Sequence, residues 1–391
     1  MGIIETARRR PLLASIDSFL RTADRAGISD AVRLVVATHF VFFALAYASA
    51  WFLSTETTGP STLGLFDMWR RWDANHLVNI AQHGYFSSAT YPNATAFFPL
   101  VPLAIRVLSW TGMPHVAAGL VLSAIGTTVA LTYLYRLAEL ELGEGSGRRA
   151  ISYLALFPTA VFLVAPYSEP LYLAGAIGAF YYARRNRWLM VGPFAALAVG
   201  SRLAGVFLLF GLAVEFLHQR DFTKDRILSA LNGLLMGGLP LVSYAVYLKA
   251  NTGNPLQFLV SQKEGWGREY VGPVASFLNT WRTWEGSYFT NWMFAWRVEI
   301  LAALIGLAIV TWALFKAEWG YAAYMGAGLA ALITSAWYYS IPRMLITWFP
   351  IMLFLTEFSK RREPRHEIIL LTMAPFAGLG VILFTRNIWF F

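Results

Sequence analysis

The sequence predicts an all-α polytopic membrane protein, and three observations carry that prediction. Of 391 residues, 57% are hydrophobic and only 14% are charged, whereas soluble domains carry about 25% charged residues. Mean hydropathy is +0.51, and apolar runs of about 20 residues, the length that crosses a bilayer core, recur along the chain. The cations gather in short clusters between those runs, as the positive-inside rule requires of cytoplasmic loops. Together these give roughly eleven transmembrane helices, with interfacial helices in two large extracytoplasmic loops.

Composition excludes several classes of function. There is no cysteine, which rules out disulfides, thiolate nucleophiles and Cys-ligated metal sites. The net charge of +9 is not a nucleic-acid signal, because its cations sit in membrane-flanking loops. Residues 1–30 are basic and polar, with Arg8, Arg9, Arg10, Arg21 and Arg25. They lack an early apolar core, so they are expected to form a cytoplasmic amphipathic surface helix rather than a cleavable signal peptide. With no Gly/Ser linker, low-complexity tract or strong internal repeat, residues 1–391 are expected to form a single transmembrane domain.

In chain order, the first span is Leu34 to Leu53, leading outward. Residues 54–113 form the first extracytoplasmic loop. Its apolar stretch 97–110 is short and holds Pro99, Pro102 and Arg106, so it is expected to lie on the membrane surface. His115 to Tyr135 crosses back to Arg136, Arg148 and Arg149. Ala150 to Ala165 leads out to a Pro166–Pro170 turn, and Leu171 to Ala183 returns to Arg184, Arg185 and Arg187. Residues 188–217 lie between two basic clusters and must cross an even number of times, as two short helices meeting at Gly200-Ser201-Arg202. Ile227 to Lys249 leads to the second outer loop, 250–295, with Trp266, Trp281, Trp284 and Trp292 as interface anchors. Spans at 296–315, 320–338, 344–358 and 367–385 complete the chain. They leave Lys316, Lys360, Arg361, Arg362 and Arg365 inside and the C-terminus outside.

The densest chemistry lies at residues 66–102. Asp73 and His76 are three apart and share a helix face, and Trp69 and Trp72 have the same spacing. The charge map also brings Glu169, Arg202 and Arg343 to the outer side, at the ends of different spans, which suggests one shared cavity. Carboxylates with arginines suit glycosyl transfer from a phosphate-linked donor. A carboxylate takes the proton of the acceptor hydroxyl, and arginines bind the leaving phosphate. No Asp-x-Asp motif sits in a soluble domain, so a metal-chelated nucleotide sugar is not the expected donor, and no cofactor is expected. A polyprenyl-phosphate sugar is, with its tail between spans. Each residue also has a structural reading. Asp73 could pair with Arg70 or cap a helix, and Asp67 reads as a helix N-cap. His76 could be a hydrogen-bonding partner, Glu169 a turn carboxylate, and Arg202 and Arg343 snorkelling anchors.

The stretch RWDANHLVNIAQHGY…ATAFFPLVPLAIR resembles the first luminal loop of the PIG-V family of mannosyltransferases, members of the GT-C superfamily of integral-membrane glycosyltransferases. The pattern W-D-x-x-H, I-A-x-x-G-Y, F-F-P-x-x-P is met by Trp72, Asp73, His76, Ile80, Ala81, Gly84, Tyr85, Phe97, Phe98, Pro99 and Pro102. Weaker matches follow at Ala165–Glu169, Ser201-Arg202 and Pro342-Arg343. The resemblance implies a GT-C-like fold and inverting transfer of mannose from dolichyl-phosphate mannose, or a related polyprenyl-phosphate donor, to a lipid or glycan acceptor. It implies Asp73 as the catalytic acidic residue and no metal requirement. Trp72, His76, Tyr167, Glu169, Arg202 and Arg343 are the expected substrate contacts. One departure is Leu77, where the family carries an aromatic residue. The short loops fit a prokaryotic plasma membrane, with the N-terminus cytoplasmic and the site extracytoplasmic. The rival reading is a transporter or flippase of lipid-linked sugars. Charges clustered at one membrane face and unlike halves favour the enzyme.

Overall fold

A computed structural model describes residues 3–52, 64, 66–286 and 290–389, with side chains from residue 27 onward except at 284 and 290–293. The start of the first loop (54–63 and 65), the side chains of residues 1–26 and those of the expected anchors Trp284 and Trp292 lie outside that description. Among the described residues the protein is all-α: regular structure is helical apart from one isolated antiparallel bridge, Tyr270 to Ser335.

The helices, in chain order, are α1 (Ile3–Phe52), α2 (Asp73–His83), α3 (Leu100–Ser109), α4 (His115–Leu142), α5 (Ser146–Ala155), α6 (Glu169–Arg184), α7 (Trp188–Ser201) and α8 (Gly205–Gln219). They continue as α9 (Lys224–Thr252), α10 (Gln257–Trp266), α11 (Pro273–Glu285), α12 (Thr290–Phe315), α13 (Trp319–Ile333), α14 (Ile341–Thr347), α15 (Pro350–Lys360) and α16 (Glu363–Thr385). The two interfacial helices expected in the first loop correspond to α2 and α3, and the second loop holds α10 and α11.

The protein is an integral membrane protein. Among the described residues, five segments, Gly27–Phe52, His115–Leu142, Lys224–Thr252, Phe294–Phe315 and Glu363–Thr385, are long and apolar enough to cross a bilayer. The α14–α15 pair, bent by 74°, makes six if counted as one span. The remaining segments expected to cross are helices shorter than about 18 residues; α6 is buried almost throughout, whereas α7, α8 and α13 bury one face and expose residues such as Leu189, Phe210 and Trp319. Residues 150–165, expected as one span, form α5 and then irregular backbone with a 3-10 turn at Ala160–Leu163. Pro158 follows Phe157 and cannot continue a helix. Such backbone survives at membrane depth only inside protein. Here Ser123 Oγ donates to Ala165 O at 2.6 Å and Thr127 Oγ1 to Leu163 O at 2.8 Å. Residues 344–358, likewise expected to be continuous, break before Pro350.

The axis of the bundle is α6, in which every residue but Tyr182 and Arg184 is buried. A helix apolar on all sides must be enclosed, and α4, α7 and α8 enclose this one. Small residues let the neighbours approach. A Cβ on Gly175 would meet Phe194 O at 2.5 Å and Ala198 N at 2.6 Å, and one on Gly126 would meet Pro170 C at 2.9 Å. The two ends of α6 each carry a charge cluster. At its C-terminus, Arg184 pairs with Glu141 at 3.0 Å, with Glu215 at 3.4 Å and with Glu318. Pairing of Arg149 with Glu363, of Lys316 with Glu357 and of Lys360 with Leu142 O gathers the basic clusters at this same end. The N-terminus of α6 is Glu169, and there the other cluster forms.

The close approach gives a test of the α6–α7 packing. Gly175→Ala pushes a methyl into backbone atoms that no rotamer change can relieve, and overpacking of this kind costs about 1–3 kcal/mol. Gly238→Ala in α9 meets nothing within 4 Å. Thermal unfolding in detergent should show a lower Tm for the first and none for the second; equal Tm values would refute the packing.

Candidate active site

Asp73 opens α2, and the residue before it takes an unusual conformation. Trp72 has φ +50° and ψ −125°, a region that bulky residues rarely enter. That turn separates the Asp67–Trp69 3-10 turn from α2. Asp67, read as a helix N-cap, lies inside the 3-10 turn, whose N-cap is Phe66. The alternative pairing of Asp73 with Arg70 does not form either. Arg70 instead reaches along α2, donating to Asn75 Oδ1 at 2.9 Å and to Asn79 Oδ1.

Asp73 pairs with Arg343 of α14, whose Nη1 lies 2.5 Å from Asp73 Oδ2. The same guanidinium donates through Nε to Glu169 Oε1 at 2.5 Å. Glu169 Oε1 also accepts from Arg202 Nη1 at 2.6 Å. Asp73, Arg343, Glu169 and Arg202, from four parts of the chain, thus form one relay of alternating charge. The two arginines are further held by rings: Arg343 lies 4.6 Å from the Tyr167 centroid and 4.9 Å from Phe162, and Arg202 lies 5.7 Å from Tyr172. Glu169 is fully buried. A lone carboxylate there would cost several kcal/mol, and two arginines offset that cost.

The relay lies along a cavity of about 1210 Å³ whose wall includes Trp72, Asp73, His76, Tyr167, Arg202 and Arg343. Six of the seven residues singled out in the sequence therefore face one space. Glu169 does not line the wall. It stands behind the arginines and accepts from both cations. The far part of the cavity is aromatic. His76 stacks on Phe97 with centroids 5.2 Å apart and 28° between planes, and Trp266 meets Phe97 edge-on at 5.4 Å. Trp266, expected to be a membrane anchor, is a wall residue instead. Trp72 Nε1 is buried and has no acceptor among the described residues, and its ring packs edge-on against Trp389 at 5.1 Å.

Sequence reasoning missed Arg268, Glu299 and Phe97 as parts of this region. Arg268 lines the cavity and donates to Tyr339 O at 2.9 Å. Glu299 accepts from Ser340 N and Ile341 N. A signal for Glu299 was present, since it is a lone carboxylate within an apolar run. Phe97 was noted only as part of a motif. Lys263 also lines the cavity and pairs with Glu269 at 2.8 Å, whereas His83 does not line it.

Comparison with known proteins extends the resemblance. The family model for mannosyltransferase (PIG-V) matches residues 60–248. GPI alpha-1,6-mannosyltransferase 2 of Cricetulus griseus is 36% identical over 156 residues, 37% of this chain and 30% of that protein. The Rattus norvegicus protein of that name is 34% identical over 199 residues, 46% of this chain and 38% of that protein. The Homo sapiens one is 32% identical over 199 residues, 47% of this chain and 39% of that protein. The chain thus spans under two fifths of these relatives in the matched regions. Among solved structures, ArnT from Cupriavidus metallidurans bound to undecaprenyl phosphate gives a TM-score of 0.46 at 13% identity, over 91% of this chain and 76% of that one. The family match includes Asp73, Glu169 and Arg202 but ends before Arg343.

His76 gives a pH test of the aromatic wall. Burial pushes its imidazole below the ordinary 6.5, and the neighbouring Asp73 carboxylate, which pulls the other way, does not restore it. The unfolded chain therefore binds this proton more readily than the folded one. The contribution of neutral His76 to stability is full above pH 6.5 and is lost as pH falls below that value. Tm should drop between pH 7.5 and 5.5, and the drop should be smaller in His76→Gln. Parallel Tm–pH curves would show that His76 is not desolvated.

Proposed function

Taking the chain as a relative of the PIG-V mannosyltransferases over residues 60–248, we propose that it is a GT-C-type inverting mannosyltransferase. The donor is a polyprenyl-phosphate mannose and the acceptor a lipid or glycan on the extracytoplasmic side. The observation that carries this reading is the relay of Asp73, Arg343, Glu169 and Arg202 on one cavity wall.

The roles follow from the chemistry. Arg343 and Arg202 bind the donor phosphate and stabilise the charge it gains on leaving. They supply the positive charge that the leaving group needs, so the reading includes no metal ion. Glu169, behind the wall, fixes both guanidinium groups toward the cavity. The donor phosphate competes with Asp73 for the Nη1 group of Arg343 and frees the Asp73 carboxylate. Asp73 then takes the proton of the acceptor hydroxyl while the hydroxyl oxygen forms the new bond to the anomeric carbon. The bond from that carbon to the phosphate oxygen breaks on the opposite face, and its electron pair leaves with the polyprenyl phosphate. The configuration inverts. His76, Phe97 and Trp266 offer ring surfaces against which sugars pack, and Trp72 Nε1 offers a donor to a hydroxyl.

Orientation follows from charge. The Arg184, Arg149, Lys316 and Lys360 end of the bundle is cytoplasmic by the positive-inside rule, which leaves the relay outside, beyond the cytoplasmic pool of nucleotide sugars. The chain has no cysteine, so single cysteines report sidedness cleanly. Both Ser88 and Glu144 are exposed. In sealed cells Ser88→Cys should react with an impermeant thiol reagent and Glu144→Cys should not; labelling of position 144 would invert the orientation.

The defining experiment is mannosyl transfer by purified protein in detergent, from polyprenyl-phosphate mannose to a panel of lipid and glycan acceptors. A transporter or flippase of lipid-linked sugars would give no transfer. Asp73→Asn keeps the shape of the side chain but cannot take the proton. Loss of a general base costs about 10²–10⁴-fold in rate, so turnover should collapse while donor binding and Tm persist. Turnover within a few-fold of the parent would remove Asp73 from the reaction.

A further inference from the structure

The turn that leads into Arg343 is held by a carboxylate that does not line the cavity. Glu299 lies on α12, within the apolar segment Phe294–Phe315, and is 2% exposed. A carboxylate in such a place is costly unless fully bonded. Both of its oxygens are used: Oε1 accepts from Ser340 N at 2.6 Å and Oε2 from Ile341 N at 2.8 Å. These amides open α14, a helix with no side-chain cap of its own. The first N–H groups of a helix have no intrahelical partner, and here a neighbouring helix supplies the acceptors.

The backbone at that point is strained and over-determined. Ser340 has φ +62°, and a non-glycine residue there costs about 1–3 kcal/mol unless its surroundings hold it. Glu299 bonds the turn from one side. From the other, Arg268 Nη2 donates to Tyr339 O at 2.9 Å, and Tyr338 N donates to Thr280 Oγ1 at 2.8 Å. Arg343 follows Ile341 by two residues, on the first turn of α14. Where that turn begins therefore decides whether Arg343 reaches Asp73 and Glu169.

We propose that Glu299 is a positioning residue that sets Arg343 for the donor phosphate, an inference that rests on the phosphate-binding reading above. Each amide takes its own carboxylate oxygen. A carboxylate is acceptor-only, whereas Gln brings one oxygen and an NH₂ that would face an N–H. Asp keeps the charge but is one methylene too short to reach both.

The test is binding of dolichyl phosphate, without sugar, to the full-length protein in detergent, followed by tryptophan fluorescence. Glu299→Gln and Arg343→Lys should each weaken binding about 10-fold, equivalent to 1.4 kcal/mol. The double variant should bind as Arg343→Lys does, because a Lys cannot use the bidentate geometry that Glu299 sets. Tm reports folding. If Glu299→Gln does not fold, Glu299→Asp is read instead, with the same coupling to Arg343 expected. Binding within twofold of the parent in a folded Glu299 variant, or losses that multiply in the double variant, would overturn the inference. A parent that binds no dolichyl phosphate refutes the phosphate site itself, and the inference falls with it.

Discussion

The structure turns on a buried carboxylate between two arginines. Glu169 has no exposure, and its one oxygen accepts from both Arg202 and Arg343. Three charges in so dry a place persist only if each keeps its partners. That constraint ties together α6, the turn after α7, and α14, which share little else in sequence. It also leaves Arg343 Nη1 directed at Asp73. The cations are thus fixed by a residue outside the cavity, while both line its wall. Two arginines preorganised in this way pay little further ordering cost when an anion arrives.

The same helix explains why the two charged clusters do not interfere. α6 runs from Glu169 to Arg184, 16 residues, or about 24 Å at 1.5 Å per residue. Its apolar, enclosed body keeps the relay apart from the network of Arg184 with Glu141, Glu215 and Glu318. A short, fully enclosed helix was the hardest thing to read in the sequence. Charge balance placed residues 171–183 between the Pro166–Pro170 turn and the Arg184 cluster, and α6 fills that interval. Hydropathy could not show that these residues face protein rather than lipid, because both surroundings are apolar.

Much of the candidate site was legible because its residues sit at the ends of apolar runs, where a charge is conspicuous. Asp73 and Arg343, 270 residues apart, were assigned to one side by the basic clusters alone. Partners across the fold were not legible. Nothing in the spacing of Asp73 and Arg70 said that Arg70 would follow Asn75 and Asn79 along α2 and leave Asp73 to a distant helix. Trp266 read as an interface anchor because an aromatic in a loop of a membrane protein usually is one; the fold of α10 against the first loop turned it inward. The broken pair α14–α15 read as one span because Pro350 is a single residue in an apolar run, yet the two helices bend by 74°.

The strain at Trp72 fits this picture. A bulky residue at φ +50° and ψ −125° costs about 1–3 kcal/mol and persists only where its surroundings hold it. Three separate parts of the chain do so. Trp389, near the C-terminus, packs edge-on against its ring. Tyr167, from the loop before α6, donates to Arg71 O at 3.3 Å. Arg343 holds the residue that follows it. Without that turn, the chain leaving the Asp67–Trp69 turn would not present Asp73 at the first position of α2. The distortion therefore sits at the junction between the Asp67–Trp69 turn and the relay, where regular backbone would aim the carboxylate elsewhere. The charged wall and the aromatic wall meet at this residue, because Trp72 borders Asp73 in the chain and lines the same cavity as His76.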